Sequence, residues 1–264
     1  MRKGTLIGKG MTAEVYEWGN RQALKLYYDG IPKEWITYEA EIGQVVHHAG
    51  VPAPAVYEQL EVDGRNGLLY ERISGQSLSA SMISDPERVM HNGEVFARLH
   101  ASIHRSKTDK LPRQKDRLAQ FIEQSASFLG ERVHPLLTVL EGLPEGEYIC
   151  HGDLHPDNVL QSDGQLTAID WMDANRGDPL CDVARTSMIF LSPFLAMPPI
   201  SISPAYSHQL NNAYLTEYCR ITGASLTDID RWRLPVAAAR LRERVPYEQE
   251  WLLAYIDEQL QALK

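Results

Sequence analysis

His151-Gly152-Asp153-Leu154-His155-Pro156-Asp157-Asn158, with Asp170 twelve residues further on, is the stretch on which the reading of this chain turns. It sets a carboxylate, Asp153, five residues ahead of an amide, Asn158, in a loop that Pro156 keeps out of regular helix. Asp170 closes a short apolar strand predicted over Leu166 to Asp170. Phosphoryl transfer needs these residue types in such an order. One carboxylate must accept or orient the proton of the attacking hydroxyl. An amide oxygen and a second carboxylate must hold magnesium, a cation that takes hard oxygen ligands and bridges nucleotide phosphates. The plain alternative is a hydrophilic turn with Asp and Asn as loop formers.

A His-x-Asp-x-x-x-x-Asn run followed by Asp at this distance has the spacing of protein-kinase-like catalytic and metal loops. The N-terminus adds to it. Gly8-Lys9-Gly10-Met11-Thr12-Ala13-Glu14-Val15 follows a Gly-x-Gly-x-x-Gly-x-Val template, except that Ala13 replaces the third glycine. Gly8, Gly10 and Thr12 would let the backbone fold closely over a triphosphate and offer its N–H groups. Ten residues past Val15, Lys25 sits inside the apolar run Ala23-Leu24-Lys25-Leu26, placed to reach the α- and β-phosphates. Such a lysine needs a carboxylate to fix it, and Glu39 and Glu41 are the candidates on the following helix. Glu39 is favoured, because it shares a face with Trp35, Ile42 and Val46, while Glu41 points nearly opposite at ~100° per residue.

The first seventy residues read as short strands and one helix. Thr5 to Gly10, Glu14 to Trp18 and Gln22 to Tyr28 form a predicted meander separated by Gly8, Gly10, Gly19 and Asn20. A helix is predicted from Pro32 or Lys33 to His48, stopped by Gly50 and Pro52. Strands near Val56 to Val62 and Gly67 to Glu71 flank the turn Asp63-Gly64. Past Ile73-Ser74-Gly75 the chain turns helical. Asp85 is a predicted N-cap with Pro86 at the first helical position, and Val89, Phe96, Leu99 and Ile103 fall on one stripe. Further helix is expected over Asp116 to Leu129 and Pro135 to Glu141, with a strand at Tyr148 to Cys150. In the helical C-terminal region Thr227-Asp228-Ile229-Asp230 resembles a capping box, and Pro235 kinks or delays that helix.

Bulk properties narrow the function classes. The 264 residues are 44% apolar, enough for one or two cores, and the net charge of −9 argues against a nucleic-acid binder. Cys150, Cys181 and Cys219 are widely separated and odd in number, which fits a reducing cytoplasm. The N-terminus turns polar before a signal-peptide core could form, and Pro193, Pro198 and Pro199 break the longest apolar stretch, so no membrane association is expected.

The ordered set of Gly-rich loop, Lys25, Glu39, the hinge-like Leu69-Tyr70-Glu71-Arg72-Ile73-Ser74-Gly75, the His-Gly-Asp-Leu-His-Pro-x-Asn motif and Ile169-Asp170-Trp171 resembles the aminoglycoside phosphotransferase/choline kinase family. Gly177-Asp178-Pro179-Leu180-Cys181-Asp182-Val183-Ala184 and Leu99-His100 extend the likeness, which spans about residues 5 to 190. The resemblance implies an α+β, two-lobed protein-kinase-like fold. Residues 1–70 would form an antiparallel nucleotide-binding lobe with one helix, 71–75 a hinge, and 76–264 a larger, mainly helical lobe carrying catalysis and substrate binding. It implies Asp153 as the catalytic aspartate, Asn158 and Asp170 as magnesium ligands, and Lys25 on the phosphates, held by Glu39. The backbone of Glu71 and Ile73 would meet the base, with Tyr70 behind it. His151, His155, Asp178 and Asp182 would shape loops and caps. Asp157, where many relatives carry a small residue, is read as a solvated loop charge, with contact to a cationic substrate as the alternative. ATP is the expected donor, and a bulky Tyr70 leaves GTP open. A monomer or homodimer is expected.

The acceptor is a small-molecule hydroxyl. An aminoglycoside would call for clustered carboxylates, yet the tail from Ser201 supplies nearly as many arginines as acids. Choline, a sugar or an amino-acid derivative fits the motifs equally well, and a choline cage would draw on Trp232, Tyr247, Trp251 and Tyr255. The rival from another class is a nucleotide-binding module without catalysis.

Overall fold

The structure, a computed structural model, describes residues 3–263. In chain order it runs β1 (Lys3–Lys9), β2 (Ala13–Trp18), β3 (Gln22–Tyr27), α1 (Lys33–His48), β4 (Val56–Val62), β5 (Arg65–Glu71), β6 (Gln76–Ser77), α2 (Leu78–Ser84), α3 (Val89–Ile103), α4 (Gln114–Gln124), α5 (Ala126–Leu129) and α6 (Val133–Glu141). Then come β7 (Tyr148–Cys150), β8 (Val159–Ser162), β9 (Gln165–Ala168), β10 (Asn175–Gly177), α7 (Pro179–Phe190), α8 (Pro204–Thr222), α9 (Leu226–Arg240) and α10 (Gln249–Ala262). Two compact units result. One runs up to Ser81 and takes in Pro156–Ala174; the other joins Met82–His155 to the chain from Asn175 onward.

The first unit is built on a five-stranded antiparallel sheet of order β1-β2-β3-β5-β4. Alternation along β3 sends Leu24 and Leu26 to one face, with Trp18 and Leu69. The other face packs Ala13, Tyr27 and Leu68 against Ile36 and Ala40 of α1. Lys25 shares the parity of Tyr27 and so points to the helix side. The buried alanine also accounts for the missing third glycine of the N-terminal loop: the Ala13 methyl is part of the core. Asp63-Gly64 and Asp163-Gly164 both take positive φ, which turns β4 into β5 and β8 into β9 through two-residue hairpins.

The second unit is mainly helical. Val89, Phe96, Leu99 and Ile103 are all buried on α3, as their spacing predicts. Phe96, Phe190 and Tyr214 meet edge to face with centroids 5.4–5.6 Å apart. A Cβ on Gly93 would lie 2.7 Å from the Ala213 Cβ and 2.8 Å from the Leu210 carbonyl oxygen, so glycine is what lets α3 and α8 approach. Near the C-terminus Arg240 grips the buried Glu248 with two bonds of 2.7 Å, and Glu248 also accepts from Ser192. Glu248→Ala would take two charge-assisted bonds from the buried Arg240 and leave it the 3.1 Å bond to Glu243, and a loss of roughly 3–5 kcal/mol in urea unfolding is expected. A change within experimental error would show that the pair is dispensable.

Several local expectations need correction. Trp35 is 55% exposed; the buried face of α1 keeps Glu39, Ile42 and Val46 as expected, and takes in Ile36, Ala40 and Gly43 in place of Trp35. The helix expected over Asp116 to Leu129 begins at Gln114 and breaks at Ser125, whose hydroxyl bonds back to the Phe121 carbonyl. Asp85 precedes a 3-10 turn, Pro86–Arg88, rather than α3 itself, and makes no side-chain cap bond. The box at the start of α9 lies two residues earlier than expected. Ser225 accepts from the Asp228 N–H at 3.1 Å and donates to its carboxylate at 2.6 Å. Pro235 sits within a continuous α9. The strand before Asp170 ends at Ala168.

Candidate functional site

In the first unit the cluster forms around Glu39, which is 6% exposed. Lys25 Nζ donates to its Oε1 at 2.7 Å, so it is Glu39 of the two candidates that pairs with the lysine. Tyr70 Oη also donates to Oε1, at 2.7 Å, and Tyr27 Oη donates to Oε2 at 2.8 Å. Tyr70, expected behind a base, thus commits its hydroxyl to Glu39. Tyr27 was missed, although its place two residues past Lys25 on the same strand face was a usable signal. Burial by itself would lower the Lys25 pKa, but Glu39 and Asp170 outweigh it and raise the ammonium above its ordinary value.

Asp170 Oδ1 stands 3.5 Å from Lys25 Nζ, with about half of the side chain exposed. Its φ of 62° lies in the left-handed region, which Asp tolerates better than most residues. The Ile169 N–H donates to the Asn158 carbonyl at 2.9 Å, tying the two expected metal ligands into one local frame. Asp157, next to Asn158, accepts from Ser79 Oγ. Gly10 N–H donates to the Ala13 carbonyl at 2.8 Å and closes the turn between β1 and β2, which also carries Thr12. Glu71 is fixed at both ends: its N–H reaches the Ala55 carbonyl at 2.8 Å, and its carboxylate accepts from the Ala55 N–H at 3.2 Å. Arg72, next in the hinge-like segment that leads to Ile73, donates its N–H to the Arg21 carbonyl and pairs with Glu17 at 2.7 Å.

In the second unit one face of α7 holds the His-Gly-Asp loop residue by residue. Asp182 accepts from the His151 N–H at 2.6 Å and the Gly152 N–H at 2.9 Å. Arg185 Nη2 donates to Asp153 Oδ1 at 2.7 Å, and Thr186 Oγ1 donates to the Leu154 carbonyl at 2.8 Å. Asp178 caps the helix, accepting from the Leu180 N–H at 2.9 Å. Behind the loop, His100 and His104 bring their Nε2 atoms to Asp182 Oδ2 at 3.0 and 3.3 Å. Tyr214 and Tyr218 hydroxyls meet the two Nδ1 atoms at 2.7 and 2.8 Å. With Nε2 donating to the carboxylate, a neutral His100 accepts at Nδ1 from the Tyr214 hydroxyl. Burial and the neighbouring His104 push the His100 pKa down to about 4, against the pull of Asp182.

The Asp153 carboxyl is subject to opposing forces. Burial alone would raise its pKa, but the Arg185 guanidinium, with His155 and His151, holds it at about 2. The carboxylate is therefore ionised throughout the neutral range. His151 is fully buried, with Nδ1 accepting from the Asp153 N–H at 3.2 Å; His155 Nε2 lies 3.7 Å from Asp153 Oδ2. Trp232 is buried in the helical core and Tyr247 is exposed, so these two do not share an environment.

The sheet with its lysine–glutamate pair and the helical unit with its His-Gly-Asp loop define a class, the protein-kinase-like α+β fold. The chain belongs to the phosphotransferase enzyme family, whose sequence pattern matches residues 3–197. No sequence match among curated proteins accompanies it. Among solved structures, a thermostable mutant of aminoglycoside phosphotransferase APH(4)-Ia, in ternary complex with AMP-PNP and hygromycin B, is 18% identical with a TM-score of 0.63. The alignment covers 98% of this chain and 92% of that one. Aminoglycoside-3'-phosphotransferase of type VIII is 21% identical over 90% of this chain and 93% of its own, with a TM-score of 0.60. Choline kinase from Cryptosporidium parvum Iowa II is 13% identical over 97% and 87%, with a TM-score of 0.58. At these identities the likeness establishes the fold. Among the described residues no helix is long and apolar enough to cross a membrane.

Proposed function

We propose that this chain is a small-molecule kinase that moves the γ-phosphoryl group of a nucleoside triphosphate to an alcohol. Asp153 accepts the proton as the acceptor oxygen bonds to phosphorus and the bond to the β-phosphate oxygen breaks. The observation that carries the reading is the convergence of Lys25, Glu39 and Asp170, distant in sequence, within one 2.7–3.5 Å cluster. Glu39 and two tyrosine hydroxyls fix the lysine in the orientation needed to meet phosphate oxygens. Gly8, Gly10 and Thr12 supply the backbone that covers those phosphates, and the Glu71 and Ile73 backbone meets the base.

Asn158 and Asp170 fit magnesium by donor type. Both offer hard oxygens, and the Asp170 carboxylate is half exposed. Bound there, the ion would neutralise charge on the transferring phosphates. ATP is the donor in this reading. Turnover at low nucleotide concentration is expected to favour ATP over GTP, and the reverse order would reassign the base pocket around Tyr70.

For the acceptor, hygromycin B in the APH(4)-Ia complex supports an aminoglycoside. A second reading, a metabolic alcohol such as choline, a sugar or an amino-acid derivative, draws support from the surroundings of Asp153. The Arg185 guanidinium bonded to it places a positive charge beside the transfer site, which a polycationic antibiotic would meet with repulsion. Nucleotide consumption across a panel of aminoglycosides, choline, sugars and sugar-amino-acid conjugates decides between them. Nucleotide binding with no acceptor phosphorylated would favour a non-catalytic binding module instead.

A further inference from the structure

An unbroken chain of alternating charge ends on the Asp153 carboxylate. It begins in the core, where Ser192 donates to the buried Glu248 and Glu248 receives two bonds from Arg240. Arg240 Nη1 then donates to Glu243 Oε2 at 3.1 Å, and Arg185 Nη1 donates to Glu243 Oε1 at 2.8 Å. The other terminal nitrogen of Arg185, Nη2, lies 2.7 Å from Asp153 Oδ1. Each link joins a different element: Ser192 just past α7, Glu248 before α10, Arg240 at the end of α9, Glu243 in the turn that follows it, and Arg185 on α7.

We infer that Arg185 is a positioning residue for the transfer step, fixing the Asp153 carboxylate through Oδ1 in the orientation in which it meets the acceptor hydroxyl, with Glu243 fixing Arg185 in turn. The inference rests on the proposed reading of Asp153 as the base. Three observations carry it. A planar guanidinium can bond two carboxylates in one fixed plane, which a lysine point charge does not do. Arg185 is mostly buried, with 15% of its side chain exposed, while Asp153 is 31% exposed, so the rigid partner lies inside and the reactive one faces out. Asp182 and Thr186, on the same face of α7, already hold the backbone on either side of Asp153, so the side chain is what remains for Arg185 to orient.

The test is the steady-state kinetics of Arg185→Gln against wild type. The expected result is a fall in kcat of roughly 10- to 100-fold with the KM for nucleotide and acceptor little changed, because a misplaced base costs turnover rather than binding. Arg185→Lys should recover part of the loss. Glu243→Gln, which leaves Arg185 present but untethered, should lower kcat in the same direction by less, and it carries the test if Arg185→Gln does not fold. The pH profile adds a second readout. The groups facing Asp153 in this unit are His151 and His155 from its own loop and Arg185 from α7, backed by Glu243. With the guanidinium gone, burial is opposed by the histidines alone, and the acid limb of kcat should move toward neutral pH. It should move further in an Arg185→Gln/His155→Gln double variant, where one of those histidines is gone as well; a limb that disappears there belongs to His155 and counts against the inference.

A raised acceptor KM with kcat intact would overturn the proposal and make Arg185 an acceptor-binding group. Wild-type kinetics in both Arg185→Gln and Glu243→Gln would also overturn it. Its failure is separable from failure of the underlying reading. If Asp153→Asn is inactive and Arg185→Gln is normal, only this inference falls. If Asp153→Asn turns over at the wild-type rate, the assignment of the base falls first.

Discussion

Asp153→Asn is expected to lower kcat by roughly 10²- to 10⁴-fold, the range over which a positioned base contributes to proton transfer. The amide is nearly isosteric, so the loop should keep its shape: Asp182 still holds the His151 and Gly152 N–H groups, and Thr186 still holds Leu154. What disappears is the negative charge and the capacity to take a proton. Nucleotide binding draws on Lys25, Glu39 and the Gly8–Thr12 backbone in the proposed reading, so affinity for a non-hydrolysable nucleotide should be unchanged within about twofold. Rapid-quench turnover paired with equilibrium nucleotide binding separates the two quantities. Undiminished turnover in the variant would remove Asp153 from the chemistry. The substitution should also release Arg185 from a charge partner, leaving Glu243 as its remaining carboxylate contact among the bonds described. A modest loss of thermal stability at neutral pH should accompany the substitution, because the mostly buried Arg185 guanidinium loses a carboxylate partner.

Much of this was legible in the sequence, for physical reasons. Period-two alternation in Ala23-Leu24-Lys25-Leu26 fixes which strand face Lys25 occupies, and helical phase separates Glu39 from Glu41. Both depend only on local geometry. The Asp-Gly turns announce their hairpins because few other pairs accept two positive φ values. The order of Asp153, Asn158 and Asp170 is local too. Arg185, by contrast, lies thirty-two residues from Asp153, and no periodicity marks a helix residue that reaches back to an earlier loop. Tyr70 reads as an aromatic behind the base and Tyr27 only as a residue of its strand, since a buried hydroxyl declares its partner only when the partner is in view. Trp35 is in phase with the buried Glu39, Ile42 and Val46, but it lies in the first turn of α1 and is 55% exposed. The helix stripe through Ile36, Ala40 and Gly43 is made partly of small residues, which a search for large apolar side chains passes over.

Asp170→Ala should abolish the magnesium-dependent part of nucleotide affinity, weakening binding in magnesium by roughly 100-fold, or about 2.7 kcal/mol. The argument starts from the carboxylate's two neighbours. On one side is Lys25, whose raised pKa owes part of its value to Asp170; on the other is the frame that ties Ile169 to Asn158. Removing the carboxylate leaves Lys25 with Glu39 as its close carboxylate partner at 2.7 Å, so the lysine remains charged and still meets phosphate. Binding measured in chelator should therefore change little, or strengthen, since a competing anion beside Lys25 has gone. Binding in magnesium should fall to that same level. Asp170→Asn keeps an oxygen ligand without its charge and should lie between the two, because a neutral carbonyl holds a hard divalent cation more weakly than a carboxylate does. Calorimetric titration of a non-hydrolysable nucleotide with and without magnesium measures each of these affinities for wild type and both variants. If alanine at this position leaves the magnesium increment intact, Asp170 is not a metal ligand and its contact with Lys25 must be explained as an ion pair alone.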